Sequence, residues 1–335
     1  PSEAHTRQRT KNRHGWTMSE QPNAIYTPTT GIDILDAQHP DPVIVVPDLF
    51  SSGLGFLGGR PKVGKSWLAL QLAFSVTSGG RFLNRPIEQG KVLYLALEDN
   101  PRRLQQRMQA QGWTYDAAQY LSVITLEDFR KNIGFLHMRG ATGKLYSLIE
   151  RGDYRLVVVD TLGRAFSGLR DLDKAEVITP ALSPLQEMAI TREYLTLFLD
   201  HHAKPKGFNS NPVDDLMSST AKSAVADTLA GLYRDDNGAK KLMVTGRDVE
   251  EKTLVIRWDR LTYCYQLIED ETQTMGLTAN EGKVYRWLKE HGPARHGEIS
   301  RGTGIAGGNL SPILSGLVTA ELITYDSEGK TFYVE

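Results

Sequence analysis

The sequence predicts an α/β fold, a mainly parallel central sheet with an antiparallel edge, followed by a small carboxyl-terminal module of helices and a hairpin. Three observations predict it. Apolar strand-like runs alternate with helical patterns from Val43 to Ile268, a glycine-rich loop at Gly59–Ser66 stands between an apolar strand and an apolar-faced helix, and the pattern changes character after Leu277.

The elements follow in chain order. Residues 1–25 are expected to be a disordered basic tail, with Arg7, Arg9, Lys11 and Arg13 among few aliphatic residues. Met18 fits a native start, so residues 1–17 are either part of the native chain or an upstream extension. Residues 26–270 form the expected core. Its buried strands are Gly53–Leu57, Lys91–Leu97, Arg155–Asp160 and Tyr194–Asp200. Ala230–Tyr233, Lys241–Thr245 and Thr253–Asp259 are shorter, and Asp236, Asn237 and Gly238 supply a turn between the first two, so they predict a meander at one sheet edge.

Residues 271–335 form the second expected domain. Thr278 and Glu281 make a capping box that opens a helix over Glu281–His291, which Gly292-Pro293 stops. A second helix is expected at about Gly297–Gly302 and a third over Asn309–Glu321. Leu322–Tyr325 and Thr331–Val334 then flank a turn at Ser327–Gly329, the order of a winged helix-turn-helix.

Composition bounds the function classes. With 40% hydrophobic and 24% charged residues, the 335-residue chain buries one large core and a smaller one. A single cysteine, Cys264, excludes an intrachain disulfide and fits a reducing, cytoplasmic setting. No run of eighteen apolar residues occurs, so no membrane span is expected. Lys plus Arg (39) balances Asp plus Glu (40), and any nucleic-acid contact must come from local patches.

The phosphate-binding spacing is complete in Gly59-Arg60-Pro61-Lys62-Val63-Gly64-Lys65-Ser66. Its glycines let successive backbone N–H groups point at phosphates beside a helix's positive end. Lys65 neutralises phosphate oxygens, Ser66 places its hydroxyl on Mg²⁺, and Trp67, Leu68, Leu70, Leu72 and Ala73 anchor the helix. Asp160, ending a buried strand, suits a water-mediated hold on the same magnesium. The competing role is a cap on the next loop through Thr161. Glu98, at the carboxyl end of the Lys91 strand, is the candidate general base, while Asn100-Pro101 reads as an N-cap and first turn. His201 and His202 point to opposite faces, which makes a poor chelate, and one of them is expected to face the γ-phosphate. The loop Ala203–Ser219 carries Lys204 and Lys206, suited to phosphate-backbone contact, with Asp214 and Asp215 opposing. Arg247 is either an arginine finger for a neighbouring subunit or a surface ion pair with Asp248 or Glu250. The third helix of the terminal module has no Lys or Arg, and from Leu277 to Glu335 the module counts six basic against seven acidic residues, so protein docking competes with DNA contact there.

Together these residues resemble the RepA-like members of the RecA/DnaB superfamily, hexameric replicative helicases and related ATPases of plasmids, phages and other mobile elements. The resemblance runs from Ile44 to Asp259. It is carried by Gly59–Ala73, Val92–Asn100 with Arg102 and Arg103, Leu156–Leu162, His201-His202, Ser218–Thr220, Ala226-Asp227 and Gly246–Asp248. It implies a RecA-like core closing into a hexameric ring, with ATP and Mg²⁺ between subunits and single-stranded DNA in the channel. Lys65 and Ser66 then hold phosphate and metal, Asp160 the metal, Glu98 activates water, His202 senses phosphate and Arg247 acts in trans. Loops Arg164–Glu176 and Ala203–Ser219 line the channel, which makes Arg164, Arg170, Lys204 and Lys206 the DNA-contacting cations. A replication initiator, a primase or a loader protein is the implied partner. The chain departs from its relatives in having a carboxyl-terminal winged module that the smallest plasmid helicases lack. The rival readings are an ATP-switched DNA-binding regulator of recombination or replication and, more weakly, a metabolic kinase.

Overall fold

The computed structural model describes residues 28–38, 41–169, 175–201, 220–234, 240–270, 277–320 and 322–334. The chain divides into two units, Pro1–Asp41 and Pro42–Glu335. In the first, a single described turn of helix spans Gly31–Asp36, opened by a capping box between Thr30 and Asp33. The basic tail expected over residues 1–25 and the turn at Asp236–Gly238 lie outside the described residues.

The second unit is built on a sheet whose described strands number nine. They are β1 (Gly53–Gly59), β2 (Lys91–Ala96), β3 (Leu121–Thr125), β4 (Tyr154–Asp160), β5 (Leu195–His201), β6 (Thr228–Arg234), β7 (Lys240–Gly246), β8 (Lys252–Asp259) and β9 (Cys264–Asp270). Their spatial order is β9-β8-β7-β6-β1-β5-β4-β2-β3. The pairs from β6 through β3 are parallel, and β6 to β9 form an antiparallel meander. The expected parallel sheet with an antiparallel edge is therefore present. Two strands had no counterpart in the sequence reading. β3 is an edge strand with no alternation of buried and exposed residues, and β9 begins with the polar-interrupted run Cys264-Tyr265-Gln266.

Central strands are buried on both faces, as parallel strands covered by helices must be. Along β4, Leu156 and Val158 join one apolar cluster and Val157 and Val159 the other. The first cluster holds Leu68, Leu70, Leu72 and Val76 of helix α1 (Lys65–Ser78), which follows the phosphate loop and is buried almost all round. Truncating one such leucine to alanine is expected to cost about 2–5 kcal/mol. Helix α2 (Pro101–Ala110) contributes Leu104 to the same side. The second cluster holds Leu145 and Ile149 of α3 (Ala141–Gly152) and Ile178, Leu182 and Leu185 of α4 (Ala175–Thr191). Helices thus cover both faces, and all the parallel strands end at one edge, where the loops gather.

At the carboxyl end, helices α5 (Ala279–His291), α6 (His296–Thr303) and α7 (Gly307–Thr319) precede a hairpin of Thr324–Asp326 with Thr331–Tyr333. The Thr278–Glu281 capping box opens α5. These elements close their own core around Val284, Leu288, Ile299, Leu310, Leu314 and Leu317. Helix α7 starts two residues before the expected Asn309. Among the described residues, no helix is long and apolar enough to cross a membrane.

Candidate active site

The phosphate loop leaves β1 at Gly59 and enters α1 at Lys65. Gly64 makes that entry with φ +110°, a conformation that L side chains rarely adopt. Lys65 is 6% exposed. Its ammonium donates to the carbonyls of Gly59 (2.8 Å) and Arg60 (3.3 Å), and lies 3.4 Å from His201 Nδ1. Burial lowers its pKa, and the charges of Asp160, Asp200 and Glu98 act against that shift.

Asp160 ends β4, one strand away from β5 and two from the phosphate-loop strand, and is 2% exposed. Burial pushes its carboxyl up to about 6, although hydrogen bonding from the Ser66 and Tyr94 hydroxyls pulls the other way. Tyr94 donates to Oδ2 at 3.0 Å, and its own phenol is held well above its usual range by burial and by the Asp160 charge. Oδ1 is buried and has no hydrogen-bond partner among the described residues. A carboxylate oxygen left over in this way, beside the Ser66 hydroxyl, is an all-oxygen donor set that fits Mg²⁺.

Glu98 is held against the same strand. The Asp160 carbonyl accepts from the N–H groups of Leu97 (2.9 Å) and Glu98 (3.1 Å), which fixes where β2 ends. The Asp160–Thr161 peptide is cis, and the Thr161 hydroxyl donates to Glu98 Oε1 at 3.1 Å. Thr161 therefore orients the candidate base, in place of the capping role considered for Asp160. The Glu98 side chain is otherwise exposed and fronts a cleft of 840 Å³ that Arg130 and Lys131 also line. Asn100 caps α2 by accepting from the Arg103 N–H at 2.9 Å, as its sequence predicts.

Trp67, half-buried, packs against the same cluster as the α1 leucines and also joins an aromatic group. It stacks on Tyr263 with centroids 5.5 Å apart, meets Trp258 edge-on at 5.2 Å, and carries the Arg107 guanidinium 5.2 Å above its ring. Arg107 and Arg103 both pair with Asp99, the residue after Glu98. Gln111 ties the group together by donating to the carbonyls of Trp67 and Tyr263, each at 3.0 Å.

Of the two histidines, His201 is the one seen beside Lys65, and His202 lies outside the described residues, as do Arg170, Lys204 and Lys206. Arg164 is exposed on the short helix after β4, with no ion pair among the described residues. Just before His201, Asp200 forms a buried 2.7 Å ion pair with Lys222, which the sequence reading missed.

Arg247 pairs with neither Asp248 nor Glu250, contrary to the ion-pair expectation. Its guanidinium lies 3.4 Å from Asp227 and donates to the Ala224 carbonyl at 2.9 Å. The nearby acids follow Arg247 in the chain and sit beyond the strand end. Asp227 precedes β6 directly across the ladder, where Gly246 faces Thr228.

A glycine-lined phosphate cradle, a buried lysine, an orphaned carboxylate oxygen beside a serine hydroxyl, and an oriented glutamate make a site for binding and cleaving a nucleoside triphosphate. This fold and site define a P-loop NTPase. The chain belongs to the AAA domain family, whose model matches residues 22–207. Among solved structures, it is similar to a KaiC-like protein of the hyperthermophilic archaeon Pyrococcus horikoshii OT3. The two are 13% identical with a TM-score of 0.45, over 69% of this chain and 99% of that one. A likeness that low carries nothing about function.

Proposed function

We propose that this chain is an ATP-hydrolysing motor that forms a ring, translocates on single-stranded DNA and separates strands in the replication of a mobile element. Lys65 and the loop amides bind the triphosphate, Ser66 and Asp160 hold the magnesium, and Glu98, oriented by Thr161, takes the proton of the attacking water. Magnesium held by Ser66 and Asp160 would supply a Lewis acid to neutralise charge on the phosphate oxygens.

The observation that carries the ring reading is the position of Arg247. Gly246 faces Thr228 at one end of β6, whereas Gly59 faces Leu232 towards the other. Four residues of strand separate the two levels, about 13 Å at ~3.3 Å per residue. Arg247 therefore stands away from its own phosphate loop, which suits an arginine that serves a neighbour's nucleotide. Arg164, Arg170, Lys204 and Lys206 are proposed as the DNA contacts. The terminal helices and hairpin are proposed as a winged helix-turn-helix. Its α7 lacks Lys and Arg, which favours docking of an initiator, primase or loader over contact with duplex DNA.

Steady-state ATP hydrolysis with and without single-stranded DNA, run beside unwinding of a forked duplex at one salt concentration, tests the reading. Stimulation with unwinding is expected. Stimulation without unwinding favours the ATP-switched DNA-binding regulator, and indifference to DNA overturns both.

A further inference from the structure

The outer side of the phosphate loop is gripped by residues from the antiparallel part of the sheet. Lys240, the first residue of β7, donates its ammonium to the Val63 carbonyl and contacts the Tyr265 hydroxyl. The same ammonium lies 4.6 Å from the Tyr265 ring centroid. Tyr265, from β9, donates its own hydroxyl to the Val63 carbonyl at 3.2 Å. Tyr265 is in turn fixed by Gln71 of α1, which donates to its carbonyl (2.9 Å) and accepts from its N–H (2.7 Å). The fit leaves no slack at Gly64, where a Cβ would stand 2.0 Å from the Tyr265 hydroxyl oxygen.

In a trans peptide the C=O and the following N–H point in opposite directions. Two donors holding the Val63 carbonyl outward therefore turn the Gly64 N–H to the inner side of the loop, where a phosphate would be cradled. Burial, with Arg234 adding to it, holds the Lys240 ammonium down to about 8, so it remains mostly charged at neutral pH.

We propose that Lys240 and Tyr265 are positioning residues for nucleotide binding, a clamp that sets the Gly64 amide of the phosphate loop for a polyphosphate. The proposal rests on the nucleotide-binding reading of that loop. It assigns a role to two residues that no phosphate-loop spacing contains, and it ties the antiparallel edge of the sheet to the nucleotide.

The test is calorimetric titration of the full chain with Mg²⁺ and ATP or ADP at pH 7, for the unsubstituted protein, Lys240→Met, Lys240→Arg and Tyr265→Phe. Lys240→Met should weaken both nucleotides by about tenfold, the loss of one charge-assisted hydrogen bond. Lys240→Arg should recover most of that loss. In hydrolysis assays the defect should appear chiefly in KM and much less in kcat, a split that general loosening of the fold would not produce. Tyr265→Phe keeps the ring and removes one donor, and should weaken both nucleotides by about threefold, so it carries the test if Lys240→Met fails to fold. Unaltered nucleotide affinity in the folded variants, or a defect confined to kcat, overturns the clamp. If the unsubstituted protein binds neither nucleotide, the failure belongs to the ATPase reading itself.

Discussion

Arg247 and Asp227 meet at 3.4 Å, and Asp227 is also bound to the strand that leads into the phosphate loop. The Asp227 carboxylate accepts from the Leu54 N–H at 2.8 Å and from the Gln186 amide at 2.9 Å, and its backbone exchanges hydrogen bonds with Leu54 and Arg247. Gly53 makes room for it, since a Cβ there would stand 2.3 Å from the carboxylate. One buried side chain thus connects the candidate finger to β1.

For Arg247, the trans reading predicts complementation. Arg247→Ala should lower hydrolysis by about a thousandfold or more, the usual worth of an arginine finger. Mixing it with Lys65→Ala subunits, themselves inactive, should restore part of the rate at hybrid interfaces. Hydrolysis that never recovers in rings shown to be mixed would assign Arg247 a structural role. Because Arg247 is 56% exposed, its ion pair should contribute less than about 1 kcal/mol to stability, and urea unfolding should change little.

Around Glu98, two substitutions should separate base from support. Glu98→Gln should still bind ATP and turn it over at least about a hundredfold more slowly. Thr161→Val removes the 3.1 Å hydrogen bond that orients the carboxylate, and should lower kcat by about tenfold with little change in KM. A Thr161→Val enzyme with normal kcat would mean that Glu98 needs no orientation from that hydroxyl.

Much of this site was legible because its signals are local. The phosphate loop, Asp160 at a strand end and the Asn100-Pro101 cap each need only a few consecutive residues, and each stands where its spacing puts it. What stayed hidden depends on partners remote in sequence. Asp227 binds Leu54 across 173 residues and Tyr265 binds Val63 across 202, so neither role has a local pattern. Lys222 and Asp200 are 22 residues apart, separated by residues 203–219, whose Lys204 and Lys206 point by sequence to phosphate-backbone contact and give no sign of a buried pair. The edge strand β3 was missed because its residues alternate with no period of two, and α4 carries Pro180 and Pro184 within its helix, which obscures the helical pattern. Asp99 is the case in between. Its pairing with Arg103, four residues on, follows from helical spacing, but the reach of Arg107 to the same carboxylate and its place above Trp67 do not.

The Asp200–Lys222 pair makes a stability prediction. Both side chains are nearly buried, so Lys222→Met takes this counter-charge away from the Asp200 carboxylate in a site of low polarity. Lys222→Met should cost about 3–5 kcal/mol in urea unfolding. The double variant Asp200→Ala/Lys222→Met should cost less than the two single variants added together, because each single variant already removes the attraction within the pair. Simple additivity would show that the pair is not coupled.

Asp160 predicts an inverse relation between stability and activity. Its folded pKa of about 6 lies above the ordinary 3.8, so the folded protein takes up a proton that the unfolded chain has released between those values. Stability therefore falls as pH rises from about 4 to about 6, and the full penalty is present above that window. Two pH units at ~1.4 kcal/mol each amount to about 3 kcal/mol at pH 7. Asp160→Asn removes the charge, so in EDTA at pH 7.5 the variant should unfold at higher urea than the parent, with the gap closing as pH falls through about 6 towards 4. Adding Mg²⁺ with ADP should reverse the order, because only the carboxylate gains from the cation. Hydrolysis should be lost in the same variant. A variant no more stable than the parent in EDTA would mean that Asp160 sits comfortably charged without metal, and that its buried, unpartnered oxygen is not held ready for one.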